Sequence, residues 1–352
     1  MKKQISKVLF VGLGGVGQRH MRNFRQIMGD SVEIFAYRKR NAQFVLNNKL
    51  EIVEGETLNE KYGIKCVDTL EEAFAYGIDI VFICNPTSMH ADILEKALQA
   101  DCNIFIEKPI AESTEALKRI EKAVRLFDKV IYVGYQNRYH PCIMKLKQLL
   151  GEQKIGSVLS VYAEIGENVK NWHKYENYKD MYACRKALGG GVVVTQIHEL
   201  DYLYYLFGMP KSVYAIGGKL SDLEIDVEDV VDILMKYEIE SKEIPVSIHE
   251  DYLQTPARRG CRVVGTKGKI EIDLLASTIV WYDEQGGIAC RETYDFDRNE
   301  MFMAEMQEFL KCVEQKKDSP ISFQEGKKSL EIAMAVKKSM QTGMPVYMED
   351  RG

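Results

Sequence analysis

The stretch Lys7-Val8-Leu9-Phe10-Val11-Gly12-Leu13-Gly14-Gly15-Val16-Gly17 constrains this chain more than any other. Its unbroken apolar run reads as a strand buried on both faces. The run stops at Gly12-x-Gly14-x-x-Gly17, and the spacing of Met21, Phe24, Ile27 and Met28 predicts an amphipathic helix beyond. Strand, glycine turn and helix in this order are the context that a dinucleotide-binding fingerprint requires. Gly12 permits the tight turn, Gly14 lets backbone approach a pyrophosphate, and Gly17 lets helix pack on strand. The helix start at Gly15 and Val16 then offers unpaired N–H groups and a positive dipole end to phosphate oxygens. Glycines also mark plain turns, so the placement carries the reading, not the pattern alone.

The next strand, 32–37, ends where an NAD-type fold usually has a carboxylate for the ribose 2′-hydroxyl. Arg38, Lys39 and Arg40 stand there instead. Three cations suit a 2′-phosphate. The expected cofactor is therefore NAD(P), with NADP slightly preferred; a solvated basic loop is the plain alternative.

Residues 41–63 read as helix and then loop. From there strands and helices alternate: strands at 65–67, 79–84, 103–106 and 130–134, with helices between them whose starts are marked by Asp68 or Thr69, by 85–90 and by Ser113 or Thr114. Such βα alternation predicts a doubly wound parallel sheet, with its ligand crevice at the carboxyl ends of the strands. Asn85, Pro86, Glu107, Lys108, Gln136 and Arg138 all fall at such ends.

The second half has a different texture. A helix is predicted over 140–150, a strand over 158–164, a polar aromatic segment over 166–188, and one helix from Val192 to Phe207. Strand-like runs joined by short turns follow from 211 to 294, then helices over 299–316 and 325–341. Consecutive strands with short turns predict a large, mostly antiparallel open sheet. The expected fold class is thus α/β: an N-terminal doubly wound Rossmann domain (1–136) and a C-terminal α+β substrate-binding and oligomerisation domain (137–352). A large one-sided sheet needs cover, so its open face is expected to make a homodimer or homotetramer.

Composition removes several function classes. With 352 residues there is material for two domains. A net charge of −5 argues against nucleic-acid partners. No apolar run nears the roughly 18 residues that span a bilayer, so no membrane partner is expected. The eight cysteines form no CxxC pair, which argues against a metal cluster or a disulfide framework. Together with an N-terminus, Met1-Lys2-Lys3-Gln4, that lacks a signal-like apolar stretch, they point to a cytoplasmic protein.

Several motifs together carry a family resemblance: Gly12-Leu13-Gly14-Gly15-Val16-Gly17, Asn85-Pro86-Thr87 with His90, Glu107-Lys108-Pro109, Asn137-Arg138-Tyr139-x-Pro141, Gly189-Gly190-Gly191 and His198-x-x-Asp201. The chain resembles the glucose-fructose oxidoreductase/inositol dehydrogenase/rhizopine catabolism (Gfo/Idh/MocA) family over nearly its whole length. Its 172–201 segment is similar to a branch found among polysaccharide and nucleotide-sugar genes. The resemblance implies hydride transfer at a carbon of a sugar, nucleotide sugar or cyclitol, and places His90 near the cofactor.

In that reading Lys108 hydrogen-bonds the reacting oxygen and stabilises developing alkoxide charge. His198, whose imidazole titrates near neutral pH, is the general acid/base. Asp201, on the same helical face, orients its ring or binds a substrate hydroxyl. Trp172, Tyr182 and Arg185, with His173, Tyr178 and Lys186 nearby, suit a sugar ring bearing an anionic group, and Arg258 and Arg259 suit an anion or an interface. Many family members carry Asp three or four residues before the histidine; this chain has Val194 and Thr195, and Thr195 becomes a candidate substrate contact. Two other readings are open: a glycosidase that uses bound nicotinamide in an internal redox cycle, and a non-catalytic dinucleotide-binding regulator.

Overall fold

A computed structural model describes residues 5–39 and 43–348. Arg40 of the basic cluster and residues 1–4 lie outside them. The chain begins β1 (Lys7–Val11), α1 (Gly15–Met28), β2 (Glu33–Tyr37), then a hairpin of β3 (Phe44–Leu46) and β4 (Ile52–Thr57), and α2 (Leu58–Tyr62). It continues β5 (Ile64–Val67), α3 (Leu70–Ala75), β6 (Ile80–Ile83), α4 (His90–Gln99), β7 (Asn103–Glu107), α5 (Thr114–Val124) and β8 (Ile131–Gly134). Six strands form a sheet in the order β5-β2-β1-β6-β7-β8. Every pairing in it is parallel, as the βα alternation predicts.

The hairpin, followed by α2, replaces the expected helix and then loop over 41–63. Its first strand is held by a side chain from elsewhere: Gln18 of α1 accepts from the Leu46 N–H and donates to the Phe44 carbonyl. Three residues have too few alternating positions to announce a strand, and the partner that stabilises them is remote in sequence.

The second half runs α6 (Pro141–Gly151), β9 (Val158–Gly166), a segment of short 3₁₀ turns to Leu188, α7 (Val192–Thr195), α8 (His198–Phe207), β10 (Ser212–Gly218), β11 (Val230–Ile239) and β12 (Lys242–Asp251). It ends β13 (Arg258–Gly265), β14 (Gly268–Asp273), β15 (Thr278–Asp283), β16 (Ile288–Thr293), α9 (Arg298–Gln315), α10 (Phe323–Thr342) and β17 (Val346–Tyr347). The nine-stranded sheet has the order β16-β15-β14-β13-β9-β12-β11-β10-β17. It is antiparallel except where β9 pairs with β12. Along β11, Val231, Ile233, Met235 and Tyr237 point into the core while Asp232, Leu234 and Lys236 face out, the alternation of a sheet covered on one side.

One helix was expected over 192–207; the structure breaks it at Gln196-Ile197. Four β-branched residues, Val192 to Thr195, make a poor helix start. The break leaves the Thr195 carbonyl outside the helical ladder, since Glu199 N–H bonds Gln196 instead.

The closing helices return to the first sheet. Phe309 of α9 packs edge-on against Phe82 and Phe105 of β6 and β7, and Phe82 stacks on Phe10 of β1 at 4.6 Å. These rings are fully buried, each contributing about 1.5–3 kcal/mol. The two halves are also joined by charge. Arg138, just after β8, makes two hydrogen bonds to Asp201 of α8 at 2.9 and 2.7 Å and one to Glu325 of α10 at 2.8 Å. Ser329 of α10 donates to Asp201 at 2.7 Å. Burial disfavours the guanidinium charge, but Asp201 and Glu325 outweigh it and hold Arg138 cationic.

Asp201→Ala leaves that guanidinium buried with only Glu325. The expected cost is about 3–5 kcal/mol of unfolding free energy, read from urea denaturation; a loss below about 1 kcal/mol, the level of an exposed pair, would deny the joint its role.

Candidate active site

The glycine turn forms as its residue types require. Gly12 has φ +90°, and a Cβ there would stand 2.9 Å from the Asn85 amide nitrogen. A Cβ on Gly17 would stand 2.2 Å from the Gly12 carbonyl oxygen, so helix and strand could not close with any other residue. Gly14 is exposed with open space at its Cβ position, and α1 starts without a side-chain cap. An open cradle beside uncapped helix N–H groups fits a dinucleotide pyrophosphate. Gly15 and Val16 open that helix. Arg38 caps the end of β2, where its guanidinium donates to Asn59 at 3.0 Å, and Lys39 beside it is exposed.

Around this cradle, residues meet at the carboxyl ends of β6, β7 and β8. Lys108, one residue past β7, is partly buried, and its Nζ donates to the Thr195 carbonyl freed by the helix break. Its bond to Pro109 is cis. Burial pushes the Lys108 ammonium down to about 8, against an upward pull from Glu107. His198, the first residue of α8, is buried; its Nε2 lies 3.2 Å from the Gln136 amide nitrogen, and its Nδ1 has no partner among the described residues. Burial first, then the charges of Lys108, Arg259 and Arg298, hold His198 well below its ordinary pKa. A neutral imidazole therefore faces a lysine that can exchange its proton near neutral pH. The Thr195 side chain is also buried, beside the phenols of Tyr182 and Tyr252. Trp172 stands edge-on to Tyr252 with ring centroids 5.2 Å apart.

Other expected site residues have their side chains committed elsewhere. Asp201 has no hydrogen bond to the His198 ring: it is fully buried, and Arg138 and Ser329 hold its carboxylate toward α10. Arg138 is likewise the joint's cation, paired with Asp201 and Glu325. Glu107 points back into the fold, 2.6 Å from His20 of α1. His90 lies under the loops with its two ring nitrogens 2.7 and 2.8 Å from the Pro109 and Asn85 carbonyl oxygens, tying those two strand ends together. Asn85 and Pro86 remain partly exposed at the end of β6. Arg185 is half-buried with Asp180 3.8 Å away. Among the described residues no group of three His, Cys, Asp or Glu is placed to hold a metal, and no helix is long and apolar enough to cross a membrane.

The structure adds residues that no motif announced. Arg259 of β13 makes two hydrogen bonds to the buried Glu199 at 2.7 and 2.9 Å, directly behind His198. Arg298 opens α9 within reach of the charges of Lys108 and His198. Tyr175 lays its hydroxyl 2.9 Å from where a Cβ on Gly15 would stand. Arg298 and Tyr175 are brought in by helix and loop topology, so local sequence carries no signal of them, whereas Arg259, expected to suit an anion or an interface, is held by the buried Glu199.

Comparison with known proteins agrees with this geometry. An oxidoreductase family with an NAD-binding Rossmann fold matches residues 6–135, and that family's C-terminal alpha/beta domain matches residues 147–348. The chain is 24% identical to a myo-inositol 2-dehydrogenase of Thermotoga maritima, over 97% of this chain and 98% of that one. It is 27% identical to a scyllo-inositol 2-dehydrogenase (NAD(+)) of Bacillus subtilis, over 86% of each. A levoglucosan dehydrogenase solved in complex with NADH has the same fold, with TM-score 0.82 at 18% identity over 98% of this chain and 100% of that one.

Proposed function

The chain belongs to this Gfo/Idh/MocA oxidoreductase family, whose first domain binds NAD, and we propose that it moves a hydride to or from the carbinol carbon of a sugar, nucleotide sugar or cyclitol. The observation that carries the reading is the meeting of Lys108, from the end of β7, with Thr195 and His198, from the break between α7 and α8. The inositol dehydrogenases among its relatives support the substrate class.

The bound nicotinamide supplies the hydride acceptor in oxidation and the donor in reduction. The chain's own groups handle the proton and the oxygen. In oxidation, neutral His198 takes the hydroxyl proton. The Lys108 ammonium leaves the Thr195 carbonyl, or shares its protons with it, to donate to the oxygen as charge builds. In reduction the two reverse. Gln136 fixes the His198 ring from the Rossmann side, and Trp172, Tyr182 and Thr195 line the substrate side. Arg185 reaches the substrate from the 3₁₀ segment above them. Arg38 and Lys39 receive a 2′-phosphate, which favours NADP. The open sheet face, where Ile216 and Leu234 are exposed beside Tyr214, makes the contact of a homodimer or homotetramer.

Lys108→Ala and His198→Ala are each expected to lower kcat by about 10²–10⁴-fold while NADH still binds; full activity in both removes the mechanism. A lysine whose pKa is lowered to about 8 loses its proton as pH rises through that value, so kcat/KM should fall above about pH 8, and a profile flat to pH 10 would deny Lys108 its donor role. Fluorescence titration should show NADPH binding tighter than NADH, with the preference lost in Arg38→Ala; equal affinities make the basic cluster a solvated loop. Leu234→Glu should reduce the mass seen by light scattering to that of a monomer, and an unchanged mass places the interface elsewhere.

A further inference from the structure

The site holds more positive charge than a neutral alcohol calls for. Arg298 is the first residue of α9, and the next residue, Asn299, bonds Arg19 and Asn23 of α1, which fixes that end of the helix against the Rossmann domain. The Arg298 side chain is exposed and makes no hydrogen bond or ion pair among the described residues. Two residues before it, Phe296 packs edge-on to His140 at 5.0 Å; His140 lies 3.2 Å from the Leu274 carbonyl oxygen, and the Leu274 N–H bonds the Arg259 carbonyl, so the start of α9 stands between α1 and the strand that carries Arg259. There the Arg298 charge is felt at Lys108 and His198.

The carboxylates nearby do not neutralise it. Glu199 is taken by Arg259 and Glu107 by His20. Glu250 is fully buried, and burial raises its pKa well above its ordinary value, which disfavours its charge. Glu167 is exposed and near enough to be felt by Arg298 and Arg259, but it forms no ion pair with Arg298. The residues before His198, Val194 and Thr195, add no negative charge. The recess also holds two buried polar atoms without a partner among the described residues, Thr195 Oγ1 and His198 Nδ1. A planar guanidinium free to form a fork beside a second cation is a receptor for a carboxylate or a phosphoryl group.

We propose that Arg298 binds an anionic group on the substrate, a carboxylate or a phosphoryl, so that the enzyme acts on an acidic sugar. The inference rests on the hydride-transfer reading of the same site. The shared chemistry is a sugar ring whose reacting carbinol lies at Lys108 and His198 and whose anion reaches Arg298.

The test is a fluorescence titration of the NADH-loaded protein with D-glucose, D-glucuronate and D-glucose 1-phosphate. At least one anionic probe should bind about tenfold or more tighter than glucose, the scale of a charged hydrogen bond. Which one does so separates carboxylate from phosphoryl. Arg298→Gln should bring that probe to the level of glucose without changing NADH affinity, and Arg298→Lys should restore part of the preference. Equal binding of all three probes to the unaltered protein overturns the inference, as does a preference that survives Arg298→Gln. A parallel loss of NADH affinity in Arg298→Gln also overturns it, by assigning the arginine to the cofactor. Failure of the underlying reading looks different: Lys108→Ala and His198→Ala would keep full turnover whatever the anion preference.

Discussion

Arg138 and Asp201 set the geometry on which the site depends. One follows the last parallel strand and the other lies on α8, so their buried pair fixes α8 of the second domain against the end of the first sheet. Glu325 and Ser329 bring α10 to the same point. Removing one partner of such a pair leaves an uncompensated charge in a low-dielectric interior, which is far costlier than losing an exposed ion pair. Because His198 lies one turn before Asp201, the pair also sets how far the imidazole stands from Lys108.

The chemistry at that junction follows from what burial does to unlike groups. Taking a lysine and a histidine out of water disfavours the charged form of both. Lys108 retains a pull from Glu107 and settles near 8, whereas His198 is surrounded by cations and is held neutral. The same surroundings thus lower the pKa of one group to about 8 and hold the other well below its ordinary value. The Arg259–Glu199 pair behind them adds little net charge but locks α8 to β13. The helix break at Gln196-Ile197 supplies a carbonyl for the ammonium to hold when no substrate oxygen is present.

Much of this was legible in local sequence. The strand, the glycine turn and α1 form where the spacing puts them, and φ at Gly12 and the contact beneath Gly17 show why glycine is needed at each. Asn85, Lys108 and Gln136 lie at strand ends because parallel strands stop where apolar runs stop. What failed was of another kind. The β3–β4 hairpin is held by Gln18; Asp201, Arg138 and Glu107 bind partners 63 to 187 residues away, and His90 bonds the Asn85 and Pro109 carbonyls. A motif fixes which residue stands at a strand end, but not whether its side chain turns toward solvent or back into the fold.

The sequence alone therefore determined the doubly wound domain, its dinucleotide cradle, the mostly antiparallel sheet that follows and the placement of Lys108 at a strand end and His198 on a helix. Each of these is encoded by periodicity, by glycine or by a compact motif. The tertiary structure decided which charges are spent on holding the domains together and which remain in the recess. That division depends on contacts between segments 60 to 187 residues apart, where burial and the nearest counter-charge set the role of a side chain and local pattern has no purchase.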